Sequence, residues 1–160
     1  MFVSRSMTRK VITVDPETKI FDAQELMQAN NIRHLPVIEK DDKLVGIVTD
    51  RDIRSALPYS FFKKTLDELE KEKISKLRAK DIMSKKPITI SPSYTIQDAL
   101  IMIQESNVGA LPVVDEEGKI TGIISVRDLL RAFINVLGIG EPGTLLCILV
   151  EEKIGQLKKI

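Results

Sequence analysis

The chain has 160 residues, which suits one domain or two small domains that share a core. Hydrophobic residues make up 43% and charged residues 29%, a balance typical of globular rather than disordered proteins. The 24 lysines and arginines nearly cancel the 23 aspartates and glutamates, so net charge favours neither nucleic acid nor a membrane as partner. No run resembles a signal peptide or reaches the roughly 18 apolar residues of a membrane span. With Cys147 as the single cysteine, we expect a cytoplasmic protein.

In chain order, the sequence predicts the elements strand, helix, hairpin and helix, and then predicts them again. Short apolar runs that stop before Pro16 and Pro92 predict the first strands, because proline donates no hydrogen bond to a central strand. Apolar residues at helical spacing follow, and then two apolar runs joined by a short polar turn. The first set is expected at 11–14, 20–27, 35–48 and 50–57. The second set is expected at 88–90, 96–103, 111–124 and 126–136.

The two sets form an internal repeat with an offset of 76 residues, the separation of Gly46 from Gly122. Residues 7–57 align with 83–133 without a gap, and glycines and prolines stay in register. A unit of this size struggles to bury enough surface alone, so we expect an α+β fold in which two β-α-β-β-α units pack with pseudo-twofold symmetry. The expected divisions are a first repeat at 1–57, a linker rich in Lys and Glu with a connecting helix at 58–80, a second repeat at 81–137 and a tail at 138–160.

The sequence GIVTDRD at Gly46–Asp52 recurs as GIISVRD at Gly122–Asp128 and has two interpretations. A Ser or Thr followed three residues later by an acid has nearly the spacing of a capping box, which satisfies free N–H groups at the start of a helix. The same atoms suit a nucleoside phosphate: the helix N-terminus favours phosphate, and the acid can accept both hydroxyls of a ribose. The spacing alone is compatible with both interpretations.

The two motifs, Leu-Pro-Val and Gly-x-x-Ser/Thr-x-x-Asp, occur in both copies and together resemble a tandem pair of CBS domains, or Bateman module, over about residues 1–137. The resemblance implies a regulatory module whose clefts between the repeats take an adenosine compound: AMP, ADP, ATP or S-adenosylmethionine. It also implies a homodimer, a regulated partner of unknown identity, no required cofactor and no bound metal. The alternative is a constitutive dimerisation scaffold with empty clefts.

The resemblance assigns residues to two sites, one in each repeat, with the acids Asp52 and Asp128 at the ribose and the adjacent hydroxyls at ribose or phosphate. Adenine is expected against the first strand and the start of the second. Site 1 is expected to comprise Ile12, Thr13, Ile32, Arg33, His34, Pro36, Thr49, Arg51 and Asp52. Site 2 is expected to comprise Ile88, Thr89, Val108, Gly109, Ala110, Pro112, Ser125, Arg127 and Asp128.

The two sites are expected to be unequal, because Arg33-His34 in the first copy corresponds to Gly109-Ala110 in the second. Arg33 presents a planar fork of donors for phosphate. His34, the single histidine, is either a phosphate ligand or a satisfied, partly buried side chain. The second site is expected to use Lys85, Lys86 or Arg127 instead, to prefer a less charged ligand, or to stay empty. Arg51 and Arg127 either face phosphate or pair with an acid.

The tail changes character after a turn-rich segment at 137–143. The apolar run at 144–150 and the Gly155-x-Leu157 that follows resemble the opening of an ACT domain, which is incomplete here. CBS pairs followed by ACT domains occur in proteins similar to the bacterial acetoin-utilisation regulatory protein.

Catalysis is not expected, because the sequence shows neither a Ser-His-acid arrangement nor a Walker-type loop.

Overall fold

The computed structural model describes residues 1–58, 60, 65 and 67–138. Within this part, seven helices and five strands form two similar units, so the predicted mixed fold is confirmed. The helices are α1 (Val3–Ser6), α2 (Ile20–Ala29), α3 (Asp50–Ala56), α4 (Glu68–Lys76), α5 (Ala79–Ile82), α6 (Ile96–Ser106) and α7 (Val126–Leu137). The strands are β1 (His34–Ile38), β2 (Leu44–Thr49), β3 (Ser84–Lys85), β4 (Ala110–Val114) and β5 (Ile120–Ser125).

An antiparallel hairpin forms the centre of each repeat, β1 with β2 and β4 with β5. The registers match: Leu35 lies opposite Val48 in the first hairpin, and Leu111 lies opposite Ile124 in the second. Each hairpin carries one irregularity at the equivalent place near the end of its first strand. The hairpins were predicted from local pattern, and the structure confirms them.

Two separate hydrophobic cores lie between the hairpins and the helices of each repeat. In α2 the buried residues Ile20, Ala23 and Met27 follow the spacing of one helical face, which packs on the β1–β2 hairpin. In α6 the buried residues Ala99 and Ile103 do the same on the β4–β5 hairpin. The helices therefore hold each hairpin in place and fix the strand-to-helix turns at Thr49 and Ser125.

Each repeat also completes the core of the other, which the sequence analysis did not foresee. Val3 and Met7, at the start of the first repeat, are buried in the second core. Ala79, just before the second repeat, is buried in the first core, and Met83 packs against that core. A Cβ atom added at Gly122 or Gly46 would overlap the sulfur atoms of Met7 and Met83, respectively, so these glycines make room for the exchanged methionines.

The exchange also brings backbone together across the repeats. Thr8 bridges to Ile123 of β5, and the two-residue strand β3 pairs with β2 through Ser84 and Ile47. The strands predicted at 11–14 and 88–90 are reduced to single parallel bridges, one of them between Val14 and Val37. We call residues 3–8 and 79–84 the exchanged segments, because each packs on the other repeat. The cavities described below form where these segments cross from one repeat to the other.

The linker contributes to packing as well as connecting the repeats. Its described part contains α4 and the beginning of α5, with an extended residue, Leu77, between them. Ile74 of α4 is buried in the first core. The tail after residue 138, including Cys147 and the ACT-like stretch, lies outside the described residues. Among the described helices, none combines the length and apolar character of a membrane span.

Candidate functional site

Two cavities open between the repeats, with volumes of about 470 Å³ (cavity A) and about 570 Å³ (cavity B). Both volumes are within the usual range for small-molecule sites. Residues 8, 10–12, 31–34, 109, 123, 125–128 and 131 line cavity A. Residues 33, 34, 47, 49–52, 54, 84–88, 107–110 and 112 line cavity B. For every residue that lines cavity A, except Arg131, the residue 76 positions away lines cavity B. The pseudo-twofold axis therefore relates the two cavities.

Each predicted site contained residues of one repeat, whereas each cavity combines predicted residues of both repeats. Cavity A joins Ile12, Ile32, Arg33 and His34 of the first repeat to Ser125, Arg127 and Asp128 of the second. Cavity B joins Ile88, Val108, Gly109, Ala110 and Pro112 of the second repeat to Thr49, Arg51 and Asp52 of the first. Thr13, Pro36 and Thr89 line neither cavity. The grouping crosses because each cavity forms between a strand-to-helix turn of one repeat and the exchanged segment of the other.

The turn before α3 forms a complete capping box. One carboxylate oxygen of Asp52, Oδ2, accepts a hydrogen bond from the Thr49 N–H at 2.8 Å and another from the Thr49 hydroxyl at 2.7 Å. The N–H of Asp52 donates in turn to the Thr49 hydroxyl at 3.2 Å. The other oxygen, Oδ1, accepts no hydrogen bond from the described residues. The cap therefore uses one oxygen of a carboxylate that also lines cavity B.

The turn before α7 repeats this arrangement in cavity A. Oδ2 of Asp128 accepts from the Ser125 N–H at 2.9 Å and from the Ser125 hydroxyl at 2.6 Å. Oδ1 receives a long hydrogen bond of 3.5 Å from the hydroxyl of Thr8, which belongs to the exchanged segment. Asp128 is only 7% exposed and is the one charged residue that is buried within the described part of the chain. Its carboxylate pairs with no cation there.

A third box, at the start of α6, has the same geometry but lines neither cavity. Oδ2 of Asp98 accepts from the Thr95 N–H at 2.9 Å and from the Thr95 hydroxyl at 2.7 Å. These hydrogen bonds lower the pKa of Asp98, which is fully exposed to solvent. The chain thus contains a capping aspartate with no cavity beside it. A substitution of Asp98 therefore tests the effect of losing a cap without affecting a cavity.

Both cavities are lined by cations that have no carboxylate partner among the described residues. In cavity A these are Lys10, Arg33, Arg127 and Arg131. In cavity B they are Arg33, Arg51, Lys85 and Lys86. Arg54, also in cavity B, is held by Asp50 at 3.0 Å. With one or two acids in each wall, both cavities carry an excess of positive charge.

His34 lies between the repeats and lines both cavities. Its ring stands over Gly109, where an added Cβ atom would come within 2.8 Å of Nε2. Burial lowers the pKa of His34, the Arg33 guanidinium lowers it further, and the Asp52 carboxylate opposes both. The imidazole is therefore held mainly in its neutral form at neutral pH, in which it can donate one hydrogen bond and accept another.

Several lining residues were missed by the sequence analysis. They include Thr8, Lys10, Asn31 and Arg131 in cavity A, and Ser84, Pro87 and Asn107 in cavity B. Asn31 and Asn107 both adopt left-handed backbone with φ near 50°, a conformation in which asparagine is enriched. A usable signal existed in the sequence, because Thr8, Lys10 and Asn31 have the similar or identical residues Ser84, Lys86 and Asn107 at the same offset of 76.

Comparison with known proteins places these observations in a family. The family model of the CBS domain matches twice, at residues 3–59 and 79–135. The structure of CBSX2 in complex with AMP is 31% identical, with a TM-score of 0.71 over 84% of this chain and 97% of that one. The CBS domain pair of protein MJ0100, in complex with 5′-methylthioadenosine and S-adenosyl-L-methionine, is 26% identical, with a TM-score of 0.68 over 83% and 99%.

The expected likeness to acetoin-utilisation proteins is also found. A Vibrio cholerae protein assigned to acetoin utilization, AcuB, is 28% identical, with a TM-score of 0.73 over 90% of this chain and 98% of that one. The two family matches together cover more than half of the sequence, and the fold agrees with them. The chain therefore belongs to the CBS domain family, as a tandem pair of CBS domains.

Proposed function

We propose that this protein is a regulatory module that binds an adenosine phosphate in the cavities between its two CBS repeats. The observation that carries the proposal is the pairing, in each cavity, of a capping aspartate with several unpaired cations. The free capacity of the carboxylate suits the hydroxyls of a ribose, and the cations suit a phosphate. Such a role is binding and regulation rather than catalysis.

The charge of the cavities favours a phosphate ester over S-adenosylmethionine. The sulfonium group is a cation, and it would meet Arg127 and Arg131 in cavity A or Lys85 and Lys86 in cavity B. The AMP complex of CBSX2 supports this choice, while the MJ0100 complex makes S-adenosylmethionine the competitor that a titration must include.

A ligand in either cavity would contact both repeats, because the walls come from both. Asp52 and Ser84 line cavity B from opposite repeats, as Asp128 and Thr8 line cavity A. Binding would therefore fix the position of one repeat against the other. We propose this as the conformational signal passed to an attached or partner protein.

We further propose that the module forms a homodimer through an apolar face of the second repeat, the α6–α7 face. Its members are exposed apolar side chains on adjacent helices: Leu100, Ile101, Leu130, Phe133 and Ile134. The last three follow the i, i+3, i+4 spacing of one helical face. Groups of exposed apolar residues mark interaction surfaces more often than isolated ones do, and the two helices that carry these residues contact each other.

Replacing each capping aspartate with alanine separates ligand binding from helix capping. Calorimetric titrations would use AMP, ADP, ATP and S-adenosylmethionine, with GTP as the control ligand. We expect Asp52→Ala to weaken binding in cavity B, and Asp128→Ala to weaken it in cavity A, each by about tenfold or more, because a hydrogen bond to a charged group is lost. Asp98→Ala removes an equivalent cap but should leave every affinity unchanged.

The alternative is a dimerisation scaffold in which the boxes only cap helices. This alternative predicts no saturable binding by the folded, nucleotide-free protein. It also predicts that the three variants differ from the unmodified protein only in thermal stability.

A further inference from the structure

The two cavities share a wall made of Arg33, His34 and Gly109. Arg33 and Gly109 occupy equivalent positions in the two repeats. Exact symmetry would place the same side chain at this position twice, once in each repeat. Instead, one position carries a guanidinium and the other has no side chain.

The backbone of Arg33 is held, whereas its guanidinium is not. The carbonyl oxygen of Arg33 accepts a hydrogen bond of 3.0 Å from the N–H of Asp50, the first residue of α3. Gly109 makes the equivalent bond of 3.2 Å with the N–H of Val126. The Arg33 side chain is exposed and has no ion pair within the described residues. It is therefore fixed at its base and free to turn toward either cavity.

Position 109 has no room for a second cation while His34 keeps its place. An added Cβ atom at Gly109 would lie 2.8 Å from Nε2 and 3.0 Å from Cε1 of the imidazole ring. The ring belongs to a half-buried side chain between the repeats, so a side chain added at position 109 would have to displace the imidazole. The shared wall thus offers one guanidinium for two ligands.

We propose that the two cavities compete for Arg33, so that a phosphate bound in one cavity weakens the binding of a second phosphate in the other. A guanidinium fork makes its strong bidentate hydrogen bonds to one phosphate at a time. The second phosphate therefore binds without the guanidinium that the first phosphate holds. The effect is reciprocal, as any coupling between two binding equilibria must be.

This inference rests on the proposed function, and single-cavity variants test it separately. The probe is whichever of AMP, ADP and ATP binds most tightly to the unmodified protein. Asp52→Ala weakens cavity B, so its tighter binding step gives the binding constant of cavity A, and Asp128→Ala gives that of cavity B in the same way. For independent cavities, the overall constant for filling both equals the product of these two constants. We expect the overall constant of the unmodified protein to be smaller than that product by about fivefold or more, and we call this ratio the shortfall.

Arg33→Gln supplies the decisive comparison. In the Arg33→Gln background we expect both single-cavity constants to decrease, because Arg33 serves both cavities, and we expect the shortfall to disappear. Arg131→Gln is the matched control, since Arg131 lines cavity A alone. It should lower the constant of cavity A and leave the shortfall unchanged. Melting temperatures would verify that each variant is folded.

Three results would overturn the inference while leaving the proposed function intact. They are an unmodified protein that meets the product, an Arg33→Gln variant that weakens one cavity only, and a shortfall that persists without Arg33. Failure of the proposed function looks different, because then no adenosine compound binds the unmodified protein.

Discussion

Asp52 and Asp128 show how one carboxylate serves a helix cap and a cavity together. In both residues Oδ2 accepts the hydrogen bonds of the cap. Oδ1 of Asp52 has no partner among the described residues, and that of Asp128 has only the long bond from Thr8. Capping and ligand binding are therefore compatible, and the cap orients the carboxylate before any ligand arrives. The sequence motif could not separate the two roles because both require the same residue types at the same spacing.

His34 should make the stability of the protein depend on pH below neutrality. Burial and Arg33 lower its pKa from the ordinary value of 6.5, so protons bind the unfolded chain more readily than the folded one. The free energy of unfolding should therefore fall as the pH drops below 6.5 toward the pKa of the folded state. Urea unfolding at pH 7.5 and 5.5 measures this change. We expect His34→Gln to show a smaller decrease over that interval than the unmodified protein.

The comparison is clean because His34 is the single histidine of the chain. The aspartates and glutamates contribute equally to both proteins, apart from any coupling to His34 itself. Equal decreases in the two proteins would show that His34 is as easily protonated in the folded state as in the unfolded chain.

Helix α4 is a largely polar helix that nevertheless belongs to the first core. It begins with a complete capping box between Asp67 and Glu70, and ion pairs along its surface involve Lys71 and Lys76. Ile74 is 3% exposed, whereas Leu69 on the same helix is 70% exposed. Helix α4 is therefore attached to the first core through Ile74 rather than through its charges, since exposed ion pairs contribute little.

Replacing Ile74 with alanine should lower the free energy of unfolding by about 2–5 kcal/mol, because it leaves a cavity among the buried residues of the first core. Leu69→Ala is the matched control on the same helix and should change it by no more than about 0.5 kcal/mol. Urea denaturation of both variants measures the difference. Similar small losses in the two variants would mean that α4 does not support the core.

The elements that sequence pattern predicted are those held together by near neighbours in the chain. The two hairpins and α2, α3, α6 and α7 all follow from hydrophobic periodicity and turn residues. Strand β3 is only two residues long and pairs with a strand of the other repeat, so no local sequence pattern predicts it. The exchange of Met7 and Met83 is likewise a contact between distant segments. The same exchange explains why most of the candidate residues line one of the two cavities, although neither cavity groups them by repeat.

The two repeats differ in how much of their outer helical faces is exposed to solvent. Leu57 in the first repeat is 6% exposed and shares a core with Ile74 of α4. Its counterpart in the second repeat, Phe133, is 59% exposed. The linker thus covers one face, and no described residue covers the other. An apolar face on one repeat favours a dimer in which second repeats meet across a twofold axis.

Phe133→Glu should convert a dimer formed through the α6–α7 face into monomers. A twofold interface contains the substituted residue twice, so two carboxylates would be buried close together without partners. Analytical ultracentrifugation should show a dissociation constant raised at least about tenfold. Leu69→Glu is the control, because it places the same charge at an exposed apolar position away from this face.

A monomeric unmodified protein at micromolar concentration would contradict the dimer proposal. An unchanged dimer in Phe133→Glu would place the interface elsewhere on the molecule.

The exchanged segments also determine how many polypeptides the fold requires. A chain with one repeat would hold Met7 without the glycine that receives it, and its own Gly46 would face an empty space. Two such chains would have to meet before either core was complete, so their folding would depend on protein concentration. With both repeats in one chain, the same contacts form within a single molecule at a loop-closure cost that grows only slowly with linker length. The duplication thereby turns a second-order assembly reaction into a first-order one, and the two cavities exist however dilute the protein becomes.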